Sequence, residues 1–268
     1  MNVQRGEGSA EGTVGKALDV LERVAAFGRP VRFAELLDGS PYPKATLYRL
    51  VQTLARQRML RHDPETNAYA PGLRLVRMAH AAWDQSSLAP VARPHLDSLS
   101  EAVGETVHLA QLDGGSVLYV DKRNAARPVE MFSAAGKVGP AHCTGVGKAM
   151  MAWLAEERLE AVLGQQSWYA HTPATITSEG AMRAELEAIR RAGHAEDREE
   201  HEPGIVCVAL PVLSPEGRVR GAVSVTAHGG RAALVGLRAH LPALRRAVDS
   251  IAGELRAWRF PDQREDRE

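Results

Sequence analysis

The sequence predicts an α+β chain of two domains, a small helical unit closed by a two-strand ribbon and a larger unit built on antiparallel sheet. Three observations predict it. At 268 residues, the chain is long enough for about two domains of roughly 150 residues each. Three helical patterns and a hairpin pattern fall within the first 80 residues. Beyond residue 90, hairpin signals mix with helices, without the regular strand–helix–strand alternation of a parallel sheet.

In the first unit, Val14, Ala17, Leu18, Leu21, Val24 and Ala25 recur at helical spacing over Val14 to Phe27, and Gly28 and Pro30 end the pattern. A short helix at Phe33 to Leu37 is followed by the turn cluster Asp38-Gly39-Ser40-Pro41. A third helix starts near Pro43, a residue suited to a first helical turn because the N–H it lacks has no partner there. Leu47, Leu50, Val51 and Leu54 form its apolar stripe. Met59 to His62 and Ala68 to Ala70 then flank the turn-forming Asp63-Pro64-Glu65-Thr66-Asn67. Three helices and a hairpin in this order are the layout of a winged helix-turn-helix.

A helix over Leu73 to Trp83 leads out of this unit, and a boundary falls at Gln85 to Pro94, which holds Ser86, Ser87, Pro90 and Pro94. Asp113-Gly114-Gly115 then joins Thr106–Leu112 to Ser116–Lys122 as a hairpin, and Val129 to Ala134 reads as a third strand. Helices are expected over Gly145 to Ala155 and over Glu179 to Ala192, the latter closed by Gly193. A second hairpin pairs Ile205–Leu213 with Val219–Ala227, and one amphipathic helix carries Leu234, Leu237, Leu241, Leu244, Val248, Ile251 and Leu255.

Composition narrows the function. Hydrophobic residues make up 44% and charged residues 25%, which excludes wholesale disorder. No apolar run is long enough to cross a membrane, the first 15 residues lack the apolar segment of a signal peptide, and two cysteines make no disulfide framework. A cytoplasmic location is expected. The zero net charge conceals an asymmetry: residues 1–80 carry 12 Lys and Arg against 8 Asp and Glu, leaving 21 against 25 of the 33 of each sign for the remainder. A basic first domain points to a polyanion. On the third helix, Lys44, Ala45, Thr46, Tyr48, Arg49 and Gln52 lie away from the apolar stripe, and Arg61 sits at the base of the hairpin. Such a face offers donors to base edges and cations to phosphates, which predicts duplex DNA as the partner.

The segment Pro43 to Leu54 resembles the recognition helix of IclR-type bacterial transcriptional regulators, and Lys16 to Leu21 their opening helix. Tyr69-Ala70-Pro71-Gly72 is similar to the close of their wing. The resemblance continues through Gly145 to Ala149, Gly193 to Glu200 and Gly204 to Pro211. Two departures stand out: Ala45 replaces a usual Ser, and Ser40-Pro41-Tyr42 replaces a usual small-Gly-Leu turn. The resemblance implies residues 14–80 as the winged helix-turn-helix, 81–90 as a helical linker and 91–260 as a GAF/PAS-like effector-binding domain. Residues 1–13 and 261–268 are expected to be tails.

By the same resemblance, Gly145, Val146, Asp197, Cys207, Ser224 and Thr226 line a pocket for a small effector, an organic, aromatic or sugar acid, and Met131 on an earlier strand is expected to supply the remaining wall. Ser224 and Thr226 alternate on one strand, so both hydroxyls face one side. A dimer or tetramer facing a pseudo-palindromic operator is expected. His142-Cys143-Thr144-Gly145-Val146-Gly147-Lys148-Ala149 is not a phosphate loop, because His142 and Ala149 stand where that motif needs Gly and Ser or Thr. No catalytic residue, metal site or cofactor is expected. The alternatives are a zinc-binding or metal-responsive regulator, with Asp197, Cys207, His142 and Cys143 as the ligand types, and a cysteine- or metal-dependent enzyme. The remaining histidines, His108, His171 and His201 among them, show no grouping in the sequence.

Overall fold

The computed structural model describes residues 12–86, 88–125 and 131–255. Most of both expected tails and Val129–Glu130 of the expected third strand lie outside the described residues. The chain divides into two compact units between Asp84 and Gln85.

In the first unit, α1 (Gly12–Ala26), α2 (Phe33–Leu37) and α3 (Lys44–Arg56) surround a small sheet of β1 (Val31–Arg32), β2 (Leu60–Asp63) and β3 (Ala68–Pro71), ordered β1-β3-β2. The apolar stripes meet in one core: Val20, Leu21 and Val24 of α1 pack with Leu36 of α2 and Leu47, Leu50, Val51 and Leu54 of α3. Pro43 is the residue just before α3, and its carbonyl accepts the Leu47 N–H at 3.0 Å. The hairpin turn is held by Asp63, which accepts from the Glu65 N–H (3.0 Å) and the Thr66 hydroxyl (2.7 Å). These bonds hold the Asp63 carboxyl below its ordinary range. β1, two residues long, was not expected; it pairs with β3 at Val31–Tyr69. The helix α4 (Leu73–Ser86) follows.

The second unit is a six-stranded, wholly antiparallel sheet ordered β6-β5-β4-β9-β8-β7. Its strands are β4 (Thr106–Asp113), β5 (Ser116–Arg123), β6 (Val138–Pro140), β7 (Ala195–Arg198), β8 (Ile205–Leu213) and β9 (Val219–His228). Four corrections apply here. Residues 131–134 are not a strand; the third strand is β6, further along. The expected helix at Gly145 stops at Met151 (α6), and α7 (Glu156–Leu163) follows as a separate element. The last amphipathic pattern is two helices, α9 (Ala233–Arg238) and α10 (Leu241–Glu254), because Pro242 can sit in a first turn but not continue a helix. The expected boundary segment narrows as well: the division falls between Asp84 and Gln85, and Pro90 and Pro94 lie within α5 (Ala89–Val103).

α6, α7 and α8 (Glu179–Ala192) pack over the sheet face that carries Ala110, Ala209 and Ala222. The alternate residues Val107, Leu109, Val208, Leu210, Val223 and Val225 are equally buried, and α5 and α10 pack on each other and on the sheet. With both faces covered, the strands read as nearly unbroken apolar runs. A polar residue inside them therefore needs a specific reason to be there.

Candidate nucleic-acid interface and effector cavity

On α3, Lys44, Ala45, Tyr48 and Arg49 are exposed and Thr46 is half-buried, while the opposite stripe is closed in the core. The Tyr48 ring meets Phe33 edge-on with centroids 5.6 Å apart, which fixes its position at the helix surface. Arg61 is exposed on β2. Gln52 differs from the sequence expectation: it is half-buried, and its amide donates to the Tyr69 hydroxyl at 3.0 Å, tying α3 to the hairpin. The Tyr69 ring in turn packs on His62, centroids 4.7 Å apart. The result is a helix with a cationic, hydrogen-bonding outer face, braced by a two-strand wing.

In the second unit, one cavity is lined by Met131, Gly145, Val146, Asp197, Cys207, Ser224 and Thr226, all seven of the expected pocket residues. About 400 Å³ of space lies between the lining atoms, open solvent at its mouth included. The sheet register explains the meeting. Asp197 of β7 pairs with Cys207 of β8, which pairs with Thr226 of β9, so the three form one cross-strand row. Ser224 lies two residues further along, opposite His108 of β4. The head of α6 closes the row from above. A Cβ on Gly145 would overlap Cys207 Sγ and one on Gly147 the Ala141 carbonyl, so both glycines are needed for this approach. Thr144 caps the helix by accepting the Gly147 N–H.

The sequence missed seven lining residues: His108, Tyr119, Ser133, Thr144, His201, Glu202 and Ile205. His108 is the centre of a buried polar group. Its Nε2 lies 2.7 Å from Ser133 Oγ, and its Nδ1 lies 3.2 Å from Thr226 Oγ1 and 3.5 Å from Ser224 Oγ. Burial, followed by the nearby Lys122 cation, lowers its pKa to about 3, so the ring is neutral. Asp197 stands on β7 among several acidic neighbours. Its carboxyl is buried, accepts the Glu200 N–H at 2.8 Å, and is raised to about 7 by burial first and by the Glu200 charge second. Burial also pushes the Cys207 thiol up, which makes it a poor nucleophile. Glu202 goes the other way: against burial, its contact with His201 and the Phe132 N–H keeps it ionised.

Lys148 of the Gly-Val-Gly-Lys run is wholly buried, donating to Glu200 at 2.5 Å and Glu185 at 3.0 Å. Its two carboxylate partners account for its burial. As for the zinc ligand types weighed from the sequence, proximity among the described residues groups His142 and Cys143 with His171, rather than with Asp197 and Cys207.

Both units match family models. Residues 13–64 match the IclR helix-turn-helix domain, and residues 80–253 match the bacterial transcriptional regulator IclR C-terminal domain. The chain belongs to the IclR family. The HTH-type transcriptional regulator XynR of Escherichia coli is 32% identical over 214 residues, 80% of this chain and 85% of that protein. The crystal structure of the Thermotoga maritima IclR aligns with a TM-score of 0.73 at 26% identity, covering 91% of this chain and 98% of that one. An IclR homolog from Microbacterium hydrocarbonoxydans, crystallised with 4-hydroxybenzoate, shares the fold with a TM-score of 0.79 at 24% identity over 92% of this chain and 100% of its own. This IclR-family chain is a DNA-binding transcriptional regulator, and the enzyme alternative is set aside. Among the described residues, no helix is long and apolar enough to cross a membrane.

Proposed function

We propose that this regulator binds a pseudo-palindromic operator as a dimer or tetramer in the cytoplasm, and that a small organic acid changes its operator affinity. Lys44, Ala45, Thr46, Tyr48 and Arg49 of α3 face the major groove, with Arg61 on the flanking phosphates; Gln52 braces the helix rather than reading a base. The observation that carries the effector reading is the meeting of Met131, Gly145, Val146, Asp197, Cys207, Ser224 and Thr226 around one cavity, from five separate segments of chain. Among the described residues, no Lys or Arg lines it. A carboxylate there is held by neutral donors: two of the Ser133, Ser224 and Thr226 hydroxyls, the third donating to the bare nitrogen of neutral His108, and Asp197, which keeps its proton up to about neutral pH. The aromatic acid in the Microbacterium relative's structure is of the expected chemical class. Control follows from unequal affinity of the acid for the DNA-competent and incompetent states.

The test starts with selection from a random duplex DNA library and titration of the recovered site at two salt concentrations. The expected result is a recurrent pseudo-palindrome, bound more weakly at high salt and with its affinity shifted by at least one of a panel of small organic acids. Arg49→Ala should weaken operator binding by about 1–3 kcal/mol if the guanidinium reads a base. Unchanged affinity would remove Arg49 from the interface. A panel of acids that shifts nothing, while neutral sugars or amines do, would overturn the ligand class.

A further inference from the structure

Beside the effector cavity, His142 poses a hydrogen-bonding problem. The residue is fully buried. Its Nδ1 lies 3.3 Å from Gln166 Oε1 and its Nε2 lies 3.3 Å from the Tyr169 carbonyl oxygen. The Gln166 amide has no freedom to turn round, because its nitrogen donates to the Gly115 and Val162 carbonyls at 2.7 and 2.8 Å. Both partners of the imidazole are therefore acceptors. A neutral imidazole owns one proton, so whichever nitrogen carries it, the other points a lone pair at an oxygen. With the ring wholly out of solvent, a charged imidazolium, which would satisfy both, is disfavoured. What the ring lacks is an electron-pair acceptor.

The surroundings fit one. Ligand atoms of His142, Cys143 and His171 all lie within 4.8 Å of one another. In a tetrahedral zinc site with bonds of about 2.0–2.3 Å, ligand atoms stand roughly 3.3–3.8 Å apart, so closure takes a movement of about 1 Å. His171 can make it, since it is exposed and stands in the segment 165–178, which has no regular helix or strand. That segment is anchored at Trp168, which adopts a left-handed φ of 51° and packs on the core, its indole 5.6 Å from the His142 ring. With the proton on Nδ1, the ring donates to the Gln166 side-chain carbonyl and leaves Nε2 for a metal, and such an N–H to a carbonyl is the usual orienting bond of a metal-bound histidine.

We propose that His142, Cys143 and His171 form a binding site for a borderline divalent metal, zinc above all, with three protein ligands and an open fourth position. Binding ionises the Cys143 thiol, whose proton leaves to solvent, and the cation meets the stranded lone pair of His142. The site is distinct from the Asp197–Cys207 row. Because Cys143 lies two residues before Gly145 of the cavity wall, the metal pins segment 165–178 to the base of that wall.

The test uses full-length, untagged, metal-stripped protein titrated with Co²⁺ in the absence of any effector, so its outcome is independent of the effector reading. Expected are saturation at one equivalent per chain, ligand-field bands in the visible, a near-ultraviolet thiolate-to-cobalt charge-transfer band, and loss of all three on adding zinc. Cys143→Ser should abolish the charge-transfer band, Cys207→Ser should retain it, and His171→Ala, a change at the surface, should weaken binding at least tenfold. Far-ultraviolet circular dichroism confirms that each variant is folded. Absence of the band in the native protein, its survival in Cys143→Ser, or unchanged affinity in His171→Ala would overturn the site.

Discussion

Asp197→Asn isolates the cost of holding a carboxyl inside the cavity wall. Asp197 is 6% exposed, and burial together with Glu200 raises it from an ordinary 3.8 to about 7. The native protein therefore keeps this proton across a range where the unfolded chain has released it, and stability falls as pH rises from about 4 to about 7, then levels off. A displacement of about three pH units at 1.36 kcal/mol each makes the whole effect about 4 kcal/mol. Asn retains an oxygen to accept the Glu200 N–H and has nothing to ionise. The stability of Asp197→Asn relative to the native chain should thus grow by about 4 kcal/mol between pH 4 and pH 8. Urea unfolding followed by tryptophan fluorescence measures it, since Trp153 and Trp168 pack against the core of this unit. Taking the difference between the two proteins at each pH cancels the titrating groups not coupled to Asp197. A difference that stays constant with pH, or that moves in favour of Asp197 as pH rises, would refute the argument and mean that the carboxylate is ionised and paired.

Two further outcomes rest on neighbouring residues. Lys148→Ala takes from the buried Glu200 its close cation, while Glu185 keeps Arg198 at 2.5 Å, and should cost about 3–5 kcal/mol in the same unfolding assay; a loss under about 1 kcal/mol would show that Arg198, already 3.8 Å from Glu200, suffices for both carboxylates. Ser224→Ala removes one of the hydroxyls grouped around His108, and should reduce the effector's influence on operator affinity while leaving effector-free DNA binding intact. Joint loss of both, read by gel shift, would make Ser224 structural.

The helices of the first unit were legible because periodicity is local: the stripe Leu47, Leu50, Val51 and Leu54 states its own face, and the structure buries all four. Local spacing also explains the failures. Leu159, Val162 and Leu163 behind Glu156 and Glu157 carried a signal for α7, but one too short to stand out without knowing what it packs on. The break before Leu241 was written in Pro242, and an uninterrupted leucine spacing masked it. The cavity divides in the same way. Ser224 and Thr226 could be placed on one face by alternation alone. His108 could not, since its meeting with Ser224 depends on β4 pairing with β9 across 116 residues of chain. Gln52 looked accessible because helix phase says nothing of a tyrosine arriving from the hairpin.

The group around His108 has a consequence for what the cavity can tell apart. Its polar floor is made of one neutral imidazole and three hydroxyls, from Ser133, Ser224 and Thr226. Each hydroxyl can rotate to offer either its hydrogen or a lone pair without moving a heavy atom. A set of such rotors has no fixed donor–acceptor pattern of its own; it takes the complement of whatever oxygen arrives. If this cavity takes the proposed acid, an alcohol and the ketone derived from it meet equally good partners at this floor, and selection between them falls to the shape of the walls. On that reading, substitutions at Met131 or Ile205, which line the same cavity, should change which acid acts while leaving the hydroxyl floor unaltered.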